Sequence, residues 1–202
     1  MPNKKIIILF GKPGAGKGTR LSEFLEGKED QYLVLSVGNL LRKARKDKTE
    51  LGKKASYYMD AGLLVPDEII NAIAIEAMKN AENPIFTDGF PRTVSQAKAM
   101  LEAGGRPDMV VHFDIDDEEV IDRAKNRIVC ESCSESYTVS GFKPPLEEGI
   151  CDKCGSKLVK REDDNEDTVR NRLKVYQKET YPVLAVMAKA GITIHTIENT
   201  DT

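Results

Sequence analysis

No stretch of this 202-residue sequence is apolar for long enough to cross a membrane. Runs such as Ile6 to Phe10 fall far short of the ~20 residues a spanning helix needs. The first five residues are basic, like the start of a signal segment, but the apolar run behind them is short and ends at Gly11-Lys12. The expected compartment is therefore the cytoplasm. A charge excess of either sign is also missing. Charged residues make up 31% of the chain, yet the net charge is only −3, which gives no general nucleic-acid binder and no polybasic membrane surface. Histidine is scarce: His112 and His195 both fall on expected strands, where packing is the better reading than chemistry. There is no internal repeat and no low-complexity linker. What is present is 40% hydrophobic residues, enough for a real core, in a length that suits one large domain or a core with small insertions.

Strands and helices alternate along most of the chain. Ile6-Ile7-Ile8-Leu9-Phe10 is continuous, β-branched and bounded by Gly11 and Pro13, as expected of a strand buried on both faces. Further strands are expected at 32–35, 85–87, 110–115 and 192–197. Helical spacing lies between them, at 16–25, 66–81, 93–103 and 116–127, and residues 167–190 hold two helices broken near Tyr181-Pro182. That rhythm predicts an α/β fold with a parallel sheet and right-handed crossovers. Two segments break it. Residues 39–62 are helical and basic with no strand partner, and read as a solvated helical pair. Residues 129–160 carry all four cysteines and a Pro144-Pro145 turn, and read as a small β insertion.

The first strand runs into "FGKPGAGKGTR". Glycines let a backbone curl around an anion and turn its N–H groups inward, and the following helix adds its positive end. Gly14, Gly16, Lys17 and Gly18 meet these needs, and Thr19 offers a hydroxyl to a metal or a phosphate. The usual phosphate-loop pattern has Ser or Thr directly after the lysine; here Gly18 intervenes. The cysteines form Cys130-x-x-Cys133 and Cys151-x-x-Cys154, seventeen residues apart, a spacing suited to a structural zinc site with four thiolates. The alternatives are four independent cysteines or two disulfides, and a reducing cytosol argues against the latter.

Three more strings complete a pattern: "LSVGNLLR" (35–42), "TDGFPRT" (87–93) and "REDDNEDTVRNRLKVYQKETYPV" (161–183). With G-x-P-G-x-G-K-G-T they make nearly the whole chain resemble the adenylate kinases, of the kind whose lid carries a four-cysteine zinc site. The resemblance implies a P-loop NTPase-type core with a five-stranded parallel sheet (1–35, 66–125 and 165–202), a small helical domain for the nucleoside monophosphate (36–65) and a zinc-binding β lid (126–164). It implies reversible phosphoryl transfer from ATP to AMP with Mg²⁺, in a monomer with no nucleic-acid or membrane partner. By match to the family motifs, Gly14, Ala15, Gly16, Lys17, Gly18 and Thr19 would bind ATP phosphates, and Ser136-Tyr137 would lie near its base or sugar. Arg42 and Arg92 would hold the AMP phosphate. Val37, Leu63, Leu64, Val65, Gly89, Phe90 and Pro91 would line the AMP site, and Gln96 would recognise adenine. Arg123, Arg127, Arg161 and Arg172 would surround the moving phosphoryl group, and Asp88 would act on Mg²⁺ through water. Asp163-Asp164 would be lid-hinge acids pairing with arginines.

The residue chemistry agrees independently, since phosphoryl transfer needs positioning and charge neutralisation, which arginines supply. The sequence departs from the family pattern at Lys12, Arg20, Val37, Asn39 and Ile128, where the family more often has proline or a small residue, glutamine, threonine, aspartate and a second arginine. Val37 opens the alternative of a UMP/CMP-type kinase, whose members tend to have a small apolar residue there. A further alternative is a nucleotide-gated zinc module that binds nucleic acid or protein. Against it, the cysteine segment lacks a dense basic and aromatic surface, with Tyr137 and Phe142 its only aromatics.

Overall fold

The computed structural model describes residues 5–139, 143–161 and 163–198; Phe142 lies outside them. In chain order the elements are β1 (Ile6–Gly11), α1 (Lys17–Leu25), a 3₁₀ turn (Glu29–Gln31), β2 (Leu33–Ser36), α2 (Val37–Lys46), α3 (Glu50–Asp60), α4 (Asp67–Asn80), β3 (Ile85–Asp88), α5 (Val94–Glu102), β4 (Met109–Asp114), α6 (Asp117–Asn126), β5 (Arg127–Cys130), β6 (Ser136–Thr138), β7 (Leu158–Val159), α7 (Glu166–Val175), a π-helical stretch (Tyr176–Thr180), α8 (Val183–Lys189) and β8 (Thr193–Glu198). The main sheet has five parallel strands in the order β2-β3-β1-β4-β8. It is the α/β architecture expected from the alternation.

The apolar run of β1 is continuous because both faces are covered. Ile6, Ile8 and Phe10 pack with Ile85 and Val110 beneath α4, α5 and α8, through Met78, Met100 and Met187. Leu9 points the other way and packs with Phe86 and Phe113 against Leu21 and Leu25 of α1 and Val120 and Ile121 of α6. β1 therefore lies at the centre of the sheet, and the loop that follows it emerges at the carboxyl end of the strands, where open α/β sheets bind ligands.

Two expectations change. The segment 39–62 is a helical pair, α2 and α3, but it is more than solvated: Val37, Leu41, Ala55 and Met59 are buried and join the main core. Its charged residues are the outer face of an amphipathic pair. The break near Pro182 begins earlier than the proline. α7 ends at Val175, and the chain widens into the π stretch, with Tyr181 N–H donating to Tyr176 O at 2.8 Å. Proline lacks the N–H that a continuing helix needs, and the wider turn absorbs that loss. Tyr176 is buried there, its hydroxyl 3.3 Å from His112 Nε2. Burial lowers the His112 pKa, so this side chain is a neutral core residue, as expected. His195 lies exposed on β8, at the sheet edge.

The cysteine segment is a three-stranded antiparallel sheet, β6-β5-β7. Its own core is small: Cys130, Tyr137, Cys151 and Leu158, with Ile128 against them.

Candidate active site

The phosphate loop links β1 to α1. Gly16 caps the helix with φ 77°, a left-handed conformation that side chains rarely adopt, so glycine at this place is a backbone requirement. Lys17 opens α1 and folds back over its own loop, its Nζ donating to Gly11 O at 2.9 Å and Lys12 O at 2.7 Å. Burial pushes its ammonium down to about 8; Asp88 opposes the shift, and Arg92 and Arg127 add to it. A half-buried lysine crowded by arginines is a cation short of anions.

The same imbalance runs across a single cleft of about 570 Å³. Its lining includes the loop residues Gly14, Ala15, Gly16, Lys17, Gly18 and Thr19, Val37 and Arg42 of α2, and the turn residues Leu63, Leu64 and Val65. Asp88, Gly89, Pro91, Arg92 and Gln96 line it too, with Arg123, Arg127, Ser136, Tyr137, Arg161 and Arg172. Phe90 differs from expectation: it is 1% exposed and packs in the main core, so it supports the cleft from behind.

Burial lowers the Arg161 pKa to about 9, with Arg127 and Arg42 adding to the shift, and its Nε is buried with no hydrogen-bond partner among the described residues. Burial likewise lowers Arg42 to about 10, despite Asp163. Arg92 shifts in the same direction, because the cleft walls desolvate it. These guanidiniums stay charged at neutral pH. Asp164 accepts two hydrogen bonds from Arg127, one of them from Nε at 2.8 Å, and Asp163 pairs with Arg172. Burial alone would raise the Asp163 pKa, but Arg172, Arg42 and Arg161 hold it at about 2. Asp163 and Asp164 thus pair with arginines, as the sequence suggested.

Gly89 has φ +80°, and a Cβ there would run into the guanidinium of Arg92. Its lack of a side chain is what lets Arg92 Nε reach back to Gly89 O at 3.0 Å.

The cysteines come together beside this cleft. Their four sulfurs lie within 4.8 Å of one another, with Cys130–Cys154 at 3.4 Å and Cys133–Cys151 at 3.6 Å. Disulfide sulfurs would be about 2.05 Å apart. Four thiolates about 2.3 Å from one tetrahedral ion lie about 3.8 Å apart, which this arrangement fits. Backbone N–H groups of Ser132 and Cys133 point at Cys130 Sγ, as expected around thiolate ligands. Tyr137 faces this cluster, its hydroxyl 3.5 Å from Cys151 Sγ and accepting from Asp152 N–H at 3.0 Å. Its ring is 3% exposed, so only its edge reaches the cleft.

A family model described as Adenylate kinase matches residues 9–192. The chain belongs to the adenylate kinase family. Among curated relatives, the adenylate kinase of Caldicellulosiruptor bescii is 42% identical over 194 residues, covering 93% of this chain and 89% of the relative. That of Caldicellulosiruptor saccharolyticus is 42% identical over 198 residues, with the same coverage. That of Staphylococcus aureus (strain Mu50) is 45% identical over 192 residues, covering 92% and 88%. As a member of the adenylate kinase family, the chain is a nucleoside monophosphate kinase.

The structure places the residues that set this adenylate kinase sequence apart. Lys12 Nζ donates to Ile115 O at 2.6 Å and pairs with Asp117 at 2.6 Å, tying the phosphate loop to the start of α6. Arg20 pairs with Glu23 on the exposed face of α1. Asn39 Oδ1 accepts from Arg42 Nη2 at 2.6 Å, a neutral partner that orients the guanidinium without cancelling its charge. Ile128 packs in the lid core. The Lys12 contact makes a testable difference. Lys12→Ala is expected to lower Tm by about 2–4 °C, the size of a partly exposed ion pair near 1 kcal/mol, and to change the KM for ATP less than about threefold. A larger KM change that high salt abolishes would show Lys12 acting on the nucleotide instead.

Contacts between distant segments had no signal in the sequence. Ser22 of α1 donates to both oxygens of Glu135, at 3.0 and 3.2 Å, and Lys143 Nζ reaches the same carboxylate at 2.7 Å. Lys46 of α2 donates to Glu131 O at 3.2 Å. The cysteine segment therefore touches both α1 and α2.

Proposed function

We propose that the chain catalyses reversible transfer of the γ-phosphoryl group of ATP to AMP, giving two ADP. The observation that supports the reading is that two sets of groups suited to phosphate, the glycine loop with Lys17 and the pair Arg42 and Arg92, line one cleft together with Arg127, Arg161 and Arg172. A hydrolase would need only the first set. The AMP phosphate is itself the nucleophile, so no side chain has to form a covalent intermediate. The work left to the protein is in-line positioning and neutralisation of charge on the equatorial oxygens.

In this reading the loop 14–19 holds the ATP phosphates, and Lys17 follows the phosphoryl group as it moves. Arg123 and Ser136 flank the rest of ATP, and the edge of Tyr137 borders it. Val37, Leu63, Leu64, Val65 and Gly89 shape the AMP pocket, with Gln96 at its base. Asp88, at the end of β3 beside the phosphate loop, is a hard oxygen donor of the kind that holds Mg²⁺ through water; the ion would neutralise charge on the β- and γ-phosphates. Zinc held by Cys130, Cys133, Cys151 and Cys154 would have no open coordination position and so no part in the chemistry. Residues 36–65 and 126–164 are then the parts that move against the core (1–35, 66–125 and 165–202), and their closure keeps water from the γ-phosphate. The absence of any helix long and apolar enough to span a membrane, among the described residues, and the thiol cluster both suit a reducing cytoplasm. The monomeric state rests on the family resemblance alone.

The apolar side chain of Val37 keeps a UMP/CMP-type preference as the competing reading. Initial rates with AMP, CMP, UMP and GMP, each with ATP, decide between them. AMP is expected to have the highest kcat/KM. A preference for CMP or UMP of more than about tenfold, ~1.4 kcal/mol, would overturn the assignment.

A further inference from the structure

Gln96 is 2% exposed, yet it borders the cleft. Its carboxamide has two lone pairs on oxygen and two hydrogens on nitrogen. Half of that capacity is used inside the protein. The backbone N–H of Arg92 donates to Oε1 at 2.7 Å, and Nε2 donates to Asp67 Oδ1 at 2.8 Å. The other Asp67 oxygen accepts from Thr93 Oγ1 at 2.7 Å, and Thr93 Oγ1 in turn caps α5 by accepting from Gln96 N–H at 3.1 Å. Asp67 is the first residue of α4, and the cleft lining does not include it.

A glutamine amide is nearly symmetrical in shape, so an unconstrained one can turn over and present its donor and acceptor in either order. Here it cannot. A backbone N–H only donates, and a carboxylate only accepts. Turning the amide over would set Nε2 against the Arg92 N–H and Oε1 against the Asp67 carboxylate, losing two hydrogen bonds and creating two repulsive contacts in a buried site.

We propose that Asp67 is a specificity-determining positioning residue: acting through Gln96, it fixes the order of donor and acceptor offered to the base of the nucleoside monophosphate. This rests on the reading that Gln96 faces that base. The remaining Nε2 hydrogen meets a ring acceptor, and the remaining Oε1 lone pair meets an exocyclic amine. Adenine offers that pair as N1 and N6–H. Hypoxanthine, guanine and uracil offer the reverse, a ring N–H beside a carbonyl. Cytosine shares the adenine order, so exclusion of CMP falls to the size of the pocket. The lock also weighs against a UMP kinase, whose base would need the amide reversed.

AMP and IMP test this directly, because their bases have the same shape and reversed edges. The wild-type chain is expected to favour AMP by about 10³-fold or more in kcat/KM, as sites built to pair a polar edge do. Asp67→Asn keeps the shape but lets residue 67 donate as well as accept, and is expected to lower the AMP-to-IMP ratio at least tenfold, with the KM for ATP unchanged. A purely structural role would lower AMP and IMP turnover together and leave the ratio intact; that result in a folded variant would overturn the proposal. Asp67→Ser gives the same readout if the asparagine variant does not fold. Gln96→Ala separates the two layers of argument. If it leaves the ratio intact, Gln96 does not read the base and the underlying assignment fails. If it collapses the ratio while Asp67→Asn and Asp67→Ser do not, only the lock fails.

Discussion

Lys17→Met lowers kcat by about 10³-fold with the fold intact, the loss expected when one preorganised donor is removed from a developing anion. The lysine has no other structural task of that size: its two partners are carbonyls of its own loop, Gly11 O and Lys12 O. Its titration gives a second readout. Burial places the free ammonium at about 8, and a triphosphate beside it raises that value again. ATP binding therefore takes up a proton above pH 8. ATP affinity is expected to be flat below about pH 8 and to weaken up to tenfold per pH unit above it, until the pKa of the complex is reached. Calorimetry in buffers of different ionisation heat at pH 7 and pH 9 measures the proton directly. The sign for stability is opposite. The folded pKa lies below the unfolded value of 10.5, so between about pH 8 and 10.5 the unfolded chain binds more protons at this site, and this group favours folding more as pH rises. Lys17→Met should abolish both effects. Unchanged kcat, or ATP affinity flat to pH 9.5, would remove Lys17 from the assigned role.

If Cys130, Cys133, Cys151 and Cys154 hold the proposed zinc, its removal produces a separate early unfolding step of the cysteine segment, expected at least about 10 °C below the main transition, while kcat measured cold falls less than about fivefold. The lid core explains the size. Apart from two cysteines, Tyr137, Leu158, Ile128 and Val129 supply the main apolar burial among the described residues there. Four such side chains, at roughly 1.5–3 kcal/mol each, do not offset the ordering of a segment that long, at roughly 1–2 kcal/mol per residue. Metal binding in small zinc domains contributes about 10–16 kcal/mol and makes up the difference. The core sheet has its own packing and keeps its transition. Cys130→Ser with Cys151→Ser, or exhaustive chelation of the wild type, followed by calorimetry and metal analysis, tests this. A single transition at unchanged temperature would show the four thiols to be incidental. A large loss of kcat in a fully folded, metal-free lid would put the metal in the reaction.

The residues that were legible from sequence share one property: their chemistry forces a local pattern. The phosphate loop needs glycines at fixed offsets, so 14–19 could be read directly. The four thiolates need two close pairs, so Cys130, Cys133, Cys151 and Cys154 could be read as well. The five strands showed as apolar runs because a parallel sheet is buried on both faces. Contacts between remote segments left no such trace. Lys12 stood out in the sequence only as a departure from the family pattern, yet it is tied to Asp117 and Ile115, which the fold alone brings to it. Phe90 sits between site residues in sequence but turns into the core, and Tyr137 turns toward the thiols. Asp67 lies in a different motif from Gln96, 29 positions away, and nothing local links them. The break before Pro182 began early, at Val175, where the π stretch opens on the buried Tyr176.

The parallel order of the sheet gives the molecule two unlike ends. The carboxyl ends of β1, β2 and β3 open onto the cleft, and the parallel order turns those of β4 and β8 the same way. The returns at the other end, after α1, α4, α5 and α8, hold the strands in register: Asp108 accepts from Ile6 N–H at 2.7 Å, and Arg106 donates to Ala190 O at 2.7 Å. Among the described residues of these returns, Glu29 alone lines the cleft. Away from Glu29 and the two staples, that far end is where lengthening, labelling or attachment to a surface is expected to leave kcat unchanged.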